Sequence, residues 1–172
     1  MDKFLDKIFF RSRNLDYIIQ NIKKITQETS AHKVFEAINN FNETSEVRYV
    51  GGCIRKIIKK EEVDDIDLAT NLIPTEVCNA LKKNNINFYE TGIDHGTITA
   101  IIGDQKYEIT TLRKDVSTDG RHAKVEFSLD WKDDSNRRDF SINAIYYDKD
   151  GNLFDPHYGK KDIESGTVKF IG

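Results

Sequence analysis

The segment from Val47 to Leu68 constrains the fold more than any other part of this chain. Val47-Arg48-Tyr49-Val50 is a short β-prone run, Gly51-Gly52 interrupts it, and Cys53 to Lys60 has helical spacing. Ile66-Asp67-Leu68 then returns to strand alternation. A strand–turn–helix–strand unit buries its apolar faces only as part of a sheet with helices packed on it.

Two features of this unit could carry chemistry. In a strand, positions i and i+2 face the same way, so Asp65 and Asp67 project together while Ile66 and Leu68 point to the core. Carboxylates at that spacing have Cα atoms about 7 Å apart and can converge on divalent cations as hard oxygen ligands. Two-metal phosphoryl transfer uses ions about 3.5–4 Å apart. An exposed acidic turn would give the same sequence pattern. The Gly51-Gly52 pair, between strand and helix, lets backbone N–H groups approach a phosphate at a helix N-terminus, and Arg55 lies one turn into that helix. A tight turn with no ligand also needs glycines there.

Two later segments add candidates. Glu108 lies in a predicted strand from Lys106 to Leu112, on the face of Thr110 and Leu112. A neighbouring strand could bring it to the acid pair, or leave it as a rim carboxylate. Arg137-Arg138-Asp139-Phe140-Ser141-Ile142-Asn143-Ala144 offers two guanidiniums suited to forked pairing with phosphate oxygens. With a helix predicted from Trp131 to Phe140, Asp139 and Asn143 would share a face and could hydrogen-bond a ribose. A charged helix end with Phe140, Ile142 and Ala144 packed inward is the plainer reading.

The rest of the chain supplies the frame. Residues 3 to 28 place Phe4, Leu5, Ile8, Phe9, Leu15, Ile18, Ile19, Ile22 and Ile25 at helical spacing, with a break expected near Ser12 to Asn14. A second helix is predicted from Ala31 to Phe41, and Pro74 opens a further one bearing Val77, Ala80 and Leu81. Strands are predicted at Phe88-Tyr89 and Thr97 to Ile102. Lys114 to Ala123 reads as a polar loop, either a lid over a ligand or a solvated hairpin loop. Tyr146 to Phe154 reads as a hairpin turning at Asp148 to Asn152, and Asp162 to Ser165 as a short turn before a last strand. The expected fold is therefore α+β: a small mixed, mostly antiparallel sheet flanked by helices, with residues 1–45 as a helical extension and 46–172 as the main domain.

Composition excludes several classes. A formal net charge of −3 gives no argument for nucleic-acid binding from charge alone, although a local basic surface is compatible with it. The two cysteines, Cys53 and Cys78, form neither a disulfide framework nor a metal-ligand spacing. They read as small buried hydrophobes of a reduced compartment. His95 and His122 have no Cys or His partner at a zinc spacing. No apolar run reaches the roughly 20 residues of a membrane span, and Ile8-Phe9-Phe10 is too short for a signal core, so a cytoplasmic protein is expected.

Taken together, Val50-Gly51-Gly52-Cys53-Ile54-Arg55, Asp65-Ile66-Asp67-Leu68-Ala69-Thr70, His95-Gly96-Thr97, Tyr107 to Arg113, Asp119-Gly120-Arg121-His122 and Arg137 to Ala144 come in an order and spacing that resembles one family. It is the class II CCA-adding tRNA nucleotidyltransferases and bacterial poly(A) polymerases, within the polymerase-β nucleotidyltransferase superfamily. The resemblance runs from about residue 47 to residue 172. It implies a head domain that adds CMP and AMP from CTP and ATP to a tRNA 3′ end, by in-line attack of the RNA 3′-hydroxyl on the α-phosphorus with loss of pyrophosphate. Asp65 and Asp67 would hold Mg²⁺, and Asp67 or Glu108 would assist deprotonation. Gly51, Gly52 and Arg55 would meet the phosphates. Arg137 and Arg138 would bind nucleotide, Asp139 and Asn143 would contact its sugar, and Arg113 to His122 would match the loop used in switching between CTP and ATP.

The chain departs from the family pattern in two places. Lys56 stands where the family has an Asp after the motif arginine. The sequence also ends where the family's neck would follow, which places base selection, and the neck, body and tail, outside these 172 residues: the chain is then a truncated piece, a natural short form, or half of a split enzyme whose second chain supplies them. Poly(A) tailing, and nucleotide binding without transfer, are the alternatives that the same motifs allow.

Overall fold

The computed structural model describes residues 2–119 and 122–172, with side chains left aside at 2–13, 91, 117–119 and 122–125. Two helices come first, α1 (Asp2–Glu28) and α2 (Ala31–Asn39). Then follow β1 (Val47–Val50), α3 (Gly52–Lys59), β2 (Ile66–Thr70), α4 (Pro74–Lys83), β3 (Asn87–Gly92), β4 (Thr97–Ile102) and β5 (Gln105–Thr111). The last part holds β6 (Arg113–Asp119), β7 (His122–Phe127), α5 (Trp131–Asn136), a 3₁₀ turn at Ser141–Asn143, β8 (Tyr146–Tyr147), β9 (Leu153–Phe154) and α6 (Gly159–Ser165).

The main sheet has seven strands in the order β3-β4-β5-β2-β1-β8-β9. Only β2 and β5 run parallel; every other neighbouring pair is antiparallel. The α+β architecture expected from the sequence is thus the one observed. Strand alternation sorts the two faces. Tyr49, Leu68, Ile98, Tyr107 and Ile109 enter one apolar core with Ile18 and Ile22 of α1, Val34, Phe35 and Ile38 of α2, Ile54 of α3 and Leu81 of α4. The N-terminal helices therefore share the core of the sheet. On the opposite face Val50, Ala69, Leu112 and Tyr146 form a smaller cluster under Trp131 and Phe154. Arg48 stacks there, its guanidinium 4.0 Å from the Trp131 ring centre.

Four expectations require correction. First, α1 is continuous through Ser12 to Asn14, because nothing in that stretch stops a helix, while its Phe4, Leu5, Ile8 and Phe9 side chains lie outside the described residues. Second, Lys114 to Ala123 is no open loop: it forms most of the β6–β7 ribbon. Its polar side chains hid a strand pair held by backbone bonding and by cross-strand pairs such as Lys114–Glu126 at 3.5 Å; Gly120 and Arg121 lie outside the described residues. Third, α5 stops at Asn136, and Phe140 is extended, bridging to Phe170, so Asp139 and Asn143 share no helical face. Fourth, the chain after α6 makes only this single bridge in place of a strand. The β8–β9 hairpin turns where expected, with the Asp148 N–H donating to the Asn152 carbonyl. Cys53 and Cys78 are free and buried.

Candidate active site

The open face of the sheet carries the acids. β2 and β5 lie in parallel register with Asp67 directly beside Glu108, and β4 adds Thr99 opposite Glu108 and Thr97 opposite Thr110. All these positions alternate away from the core, so the parallel pairing brings together two carboxylates 41 positions apart in sequence (108 − 67). Asp67 is half-buried, whereas Asp65 and Glu108 are exposed. Asp65 precedes the strand, and it borders a second depression with Asp64, Asp104 and Lys106. Burial, then the charges of Glu108 and Asp65, push the Asp67 carboxyl above the usual carboxylate range, with Arg138 opposing them.

The glycine turn faces this acid. Gly51 has φ 73° and ψ −131°, a backbone conformation open essentially only to glycine. A Cβ built on it would lie 3.8 Å from Asp67 Oδ2, which measures how closely the turn approaches the carboxylate. α3 begins at Gly52, and the Arg55 amide donates to the Gly51 carbonyl. The Arg55 side chain reaches across to the later motif: its Nη1 donates to Asn143 Oδ1 at 2.6 Å. Lys56 forms an ion pair with Asp64, whose Oδ1 also accepts the Asp65 amide at 3.1 Å.

Between these walls lies a cleft of about 330 Å³, lined in part by Gly51, Asp67, His95, Arg113, Arg137 and Arg138. Arg113 donates from Nη1 to the His95 carbonyl at 2.7 Å, and its buried Nε has no partner among the described residues. Burial, and then the neighbouring Arg137, lower its pKa. Asn143 is tied twice, through its side chain to Arg55 and through its carbonyl to Arg138 Nη1 at 3.3 Å. Asp139 is exposed and does not line the cleft; its carbonyl accepts the Ile171 amide at 3.0 Å.

Sequence reasoning missed Asp134. It is 1% exposed and binds both arginines. Its available signal was spacing: it stands three and four residues before Arg137 and Arg138, the separations at which side chains meet across a helical turn. Tyr146, Thr97 and Thr110 were assigned no site role, and the last two line the cleft.

A hard divalent cation fits this donor set. Among the described residues no group of three or more His, Cys, Asp or Glu side chains is drawn together enough to hold an ion alone. Mg²⁺ is commonly held by one or two carboxylates with substrate phosphates and waters completing the shell, and Asp67 with Asp65, their negative charge mutually unfavourable, suits that mode.

These features define an α+β domain whose cleft runs between a carboxylate-bearing strand wall and a cluster of guanidiniums. A family model described as the poly A polymerase head domain matches residues 47–169, and the chain belongs to that family. It is similar to the human mitochondrial CCA tRNA nucleotidyltransferase 1, with 43% identity over 131 residues, 76% of this chain and 30% of the relative. The CCA-adding enzyme of Oceanobacillus iheyensis is 36% identical over 126 residues, 72% of this chain and 30% of the relative. Among solved structures, the Bacillus stearothermophilus CCA-adding enzyme in complex with CTP matches with a TM-score of 0.69 and 27% identity, over 81% of this chain and 32% of that one. The chain thus spans about a third of the length of these relatives. Among the described residues no helix is long and apolar enough to cross a membrane.

Proposed function

We propose that this chain is the catalytic head of a template-independent RNA nucleotidyltransferase that adds CMP and AMP, from CTP and ATP, to the 3′ end of tRNA. The observation that carries this reading is the register of β2 with β5, which sets Asp67 beside Glu108 and across from the Gly51 turn. Relatives named for CCA addition and a structural match holding CTP support the substrate class.

In this reading the Gly51–Gly52 turn lets a triphosphate approach the α3 N-terminus closely, where backbone N–H groups favour negative charge. Arg113, Arg137 and Arg138 take phosphate oxygens from the far wall. Arg55 holds Asn143 in place for a sugar hydroxyl, while Asp139 would need a side-chain rotation or bound ligand to join it. Asp65 and Asp67 would hold Mg²⁺, which supplies Lewis-acid polarisation of phosphoryl oxygens. Asp67 or Glu108, neighbours in the β2–β5 register, would receive the proton of the attacking 3′-hydroxyl.

The test is incubation of the purified chain with tRNA lacking its terminal CCA and α-labelled CTP and ATP. Incorporation of C and then A is expected. Long tails of A alone would instead make it a poly(A)-type enzyme. A second reading is a nucleotide-binding head that transfers only with a further chain. Activity appearing only on addition of a chain carrying the remaining two thirds of such a relative would establish it. We place the activity in the cytoplasm; co-fractionation with mitochondria, the compartment in the human relative's name, would overturn that placement.

A further inference from the structure

Two adjacent arginines on a short connection would repel each other and sample many rotamers. In this structure one carboxylate binds both. Asp134 Oδ1 accepts from Arg137 Nε at 2.9 Å and lies 2.7 Å from its Nη2. Asp134 Oδ2 accepts from Arg138 Nε at 3.2 Å and Nη2 at 3.1 Å. The Tyr146 hydroxyl completes the arrangement, donating to Asp134 Oδ2 at 2.7 Å and accepting from Arg138 Nε at 2.9 Å. Every acceptor of a fully buried carboxylate is thereby occupied, which offsets the cost of removing its charge from water.

The pairing uses one edge of each guanidinium. An arginine has five N–H donors, and both side chains still line the cleft with Arg113 and Asp67. The network continues from Arg138 to the Asn143 carbonyl and from the Asn143 side chain to Arg55, joining the two segments that flank the ligand space. Asp134 itself does not line the cleft.

We infer that Asp134, with Tyr146, is a positioning residue: it fixes the planes of Arg137 and Arg138 so that their remaining N–H donors meet the β- and γ-phosphates of the incoming nucleotide. The inference rests on the nucleotide reading above and assigns a role that reading does not contain. Preorganised donors bind without losing rotamer freedom, so the benefit is confined to ligands that carry those phosphates.

The experiment compares binding of ATP, AMP and Mn²⁺ alone to the whole wild-type chain, Asp134→Asn and Tyr146→Phe, with thermal unfolding followed in parallel. Asp134→Asn should weaken ATP about tenfold or more and change AMP and Mn²⁺ by less than about twofold, since a charge-assisted pair is lost only on the phosphate-gripping side. Tyr146→Phe should shift the ATP-to-AMP ratio in the same direction by a few-fold. A general structural loss would lower AMP and ATP together, and that result, or an unchanged ATP affinity, would overturn the positioning role. Should Asp134→Asn fail to fold, Tyr146→Phe decides: an unchanged ratio overturns the proposal. A wild-type chain that binds neither nucleotide overturns the nucleotide reading itself, and the positioning role with it, whereas a binding wild type with indifferent variants overturns positioning alone.

Discussion

The two walls of the cleft treat acidic side chains in opposite ways. On the strand wall, Asp67 sits beside Glu108 and near Asp65, and burial and like charge raise its pKa. On the helix wall, Asp134 is more deeply buried, and burial alone would raise it too. There the charges of Arg138 and Arg137 and the Tyr146 hydroxyl outweigh burial and hold it below the usual carboxylate range. One carboxylate faces like charge; the other is paired with two guanidiniums. Burial by itself would have ranked the two shifts the wrong way round.

The largest effect that can break this comparison is on transfer. Asp65→Ala with Asp67→Ala should lower CMP and AMP incorporation on the order of 10³-fold or more, because a lost metal removes several kcal/mol of transition-state stabilisation. Both side chains are at least partly exposed, so the melting temperature should barely fall. Retained incorporation in that variant would refute the metal role.

On stability the order reverses. Asp134→Ala should cost about 3–5 kcal/mol in urea unfolding, since it leaves two largely buried guanidiniums without their partner. This loss depends on pH in a defined direction. The folded Asp134 pKa is depressed, so its stabilisation is present above the unfolded value near 4 and is lost as pH falls through the lower folded value. The gap between wild type and Asp134→Asn should therefore be full at pH 7 and close progressively below about pH 4. A gap independent of pH would show that the charge is not what matters.

Gly51→Ala should cost about 1–3 kcal/mol, because an alanine at φ 73° and ψ −131° is strained. Steric conflict adds little, as its Cβ would make only ordinary contact with Asp67 at 3.8 Å. Urea titration checks the cost, and nucleotide binding should weaken with it. The smallest effect has the opposite sign. Asp67→Asn removes a carboxylate whose ionised form is disfavoured in the fold, so it should raise the melting temperature slightly at pH 7, on the order of 2 °C. That gain should vanish at acid pH, where the wild-type carboxyl is protonated in any case. A fall at pH 7 would remove the basis of the comparison.

Much of this was legible from sequence because it is local. The Val47–Val50 and Thr97–Ile102 strands, the Gly51-Gly52 break and the hairpin at Asp148 to Asn152 follow from alternation and turn chemistry over a few residues. The ribbon at 113–127 was not, since it sets polar against apolar residues, as in Arg113 with Phe127 and Asp115 with Val125, and carries no apolar period. The end of α5 was not, because Arg137 and Arg138 are good helix formers and only the non-local bridge of Phe140 to Phe170 takes the chain out of the helix.

The sequence by itself determined the donor types and their local facing: two acids around Ile66, a glycine turn ahead of Arg55, and an arginine pair before Asn143. Only the tertiary structure decided which of them meet. The β2–β5 register brought Glu108 to Asp67, and the span from Arg55 to Asn143 was closed by one hydrogen bond. The physical reason is range. Propensity and periodicity act over one or two turns of chain, whereas strand register and buried charge pairing are settled by packing among segments far apart in sequence.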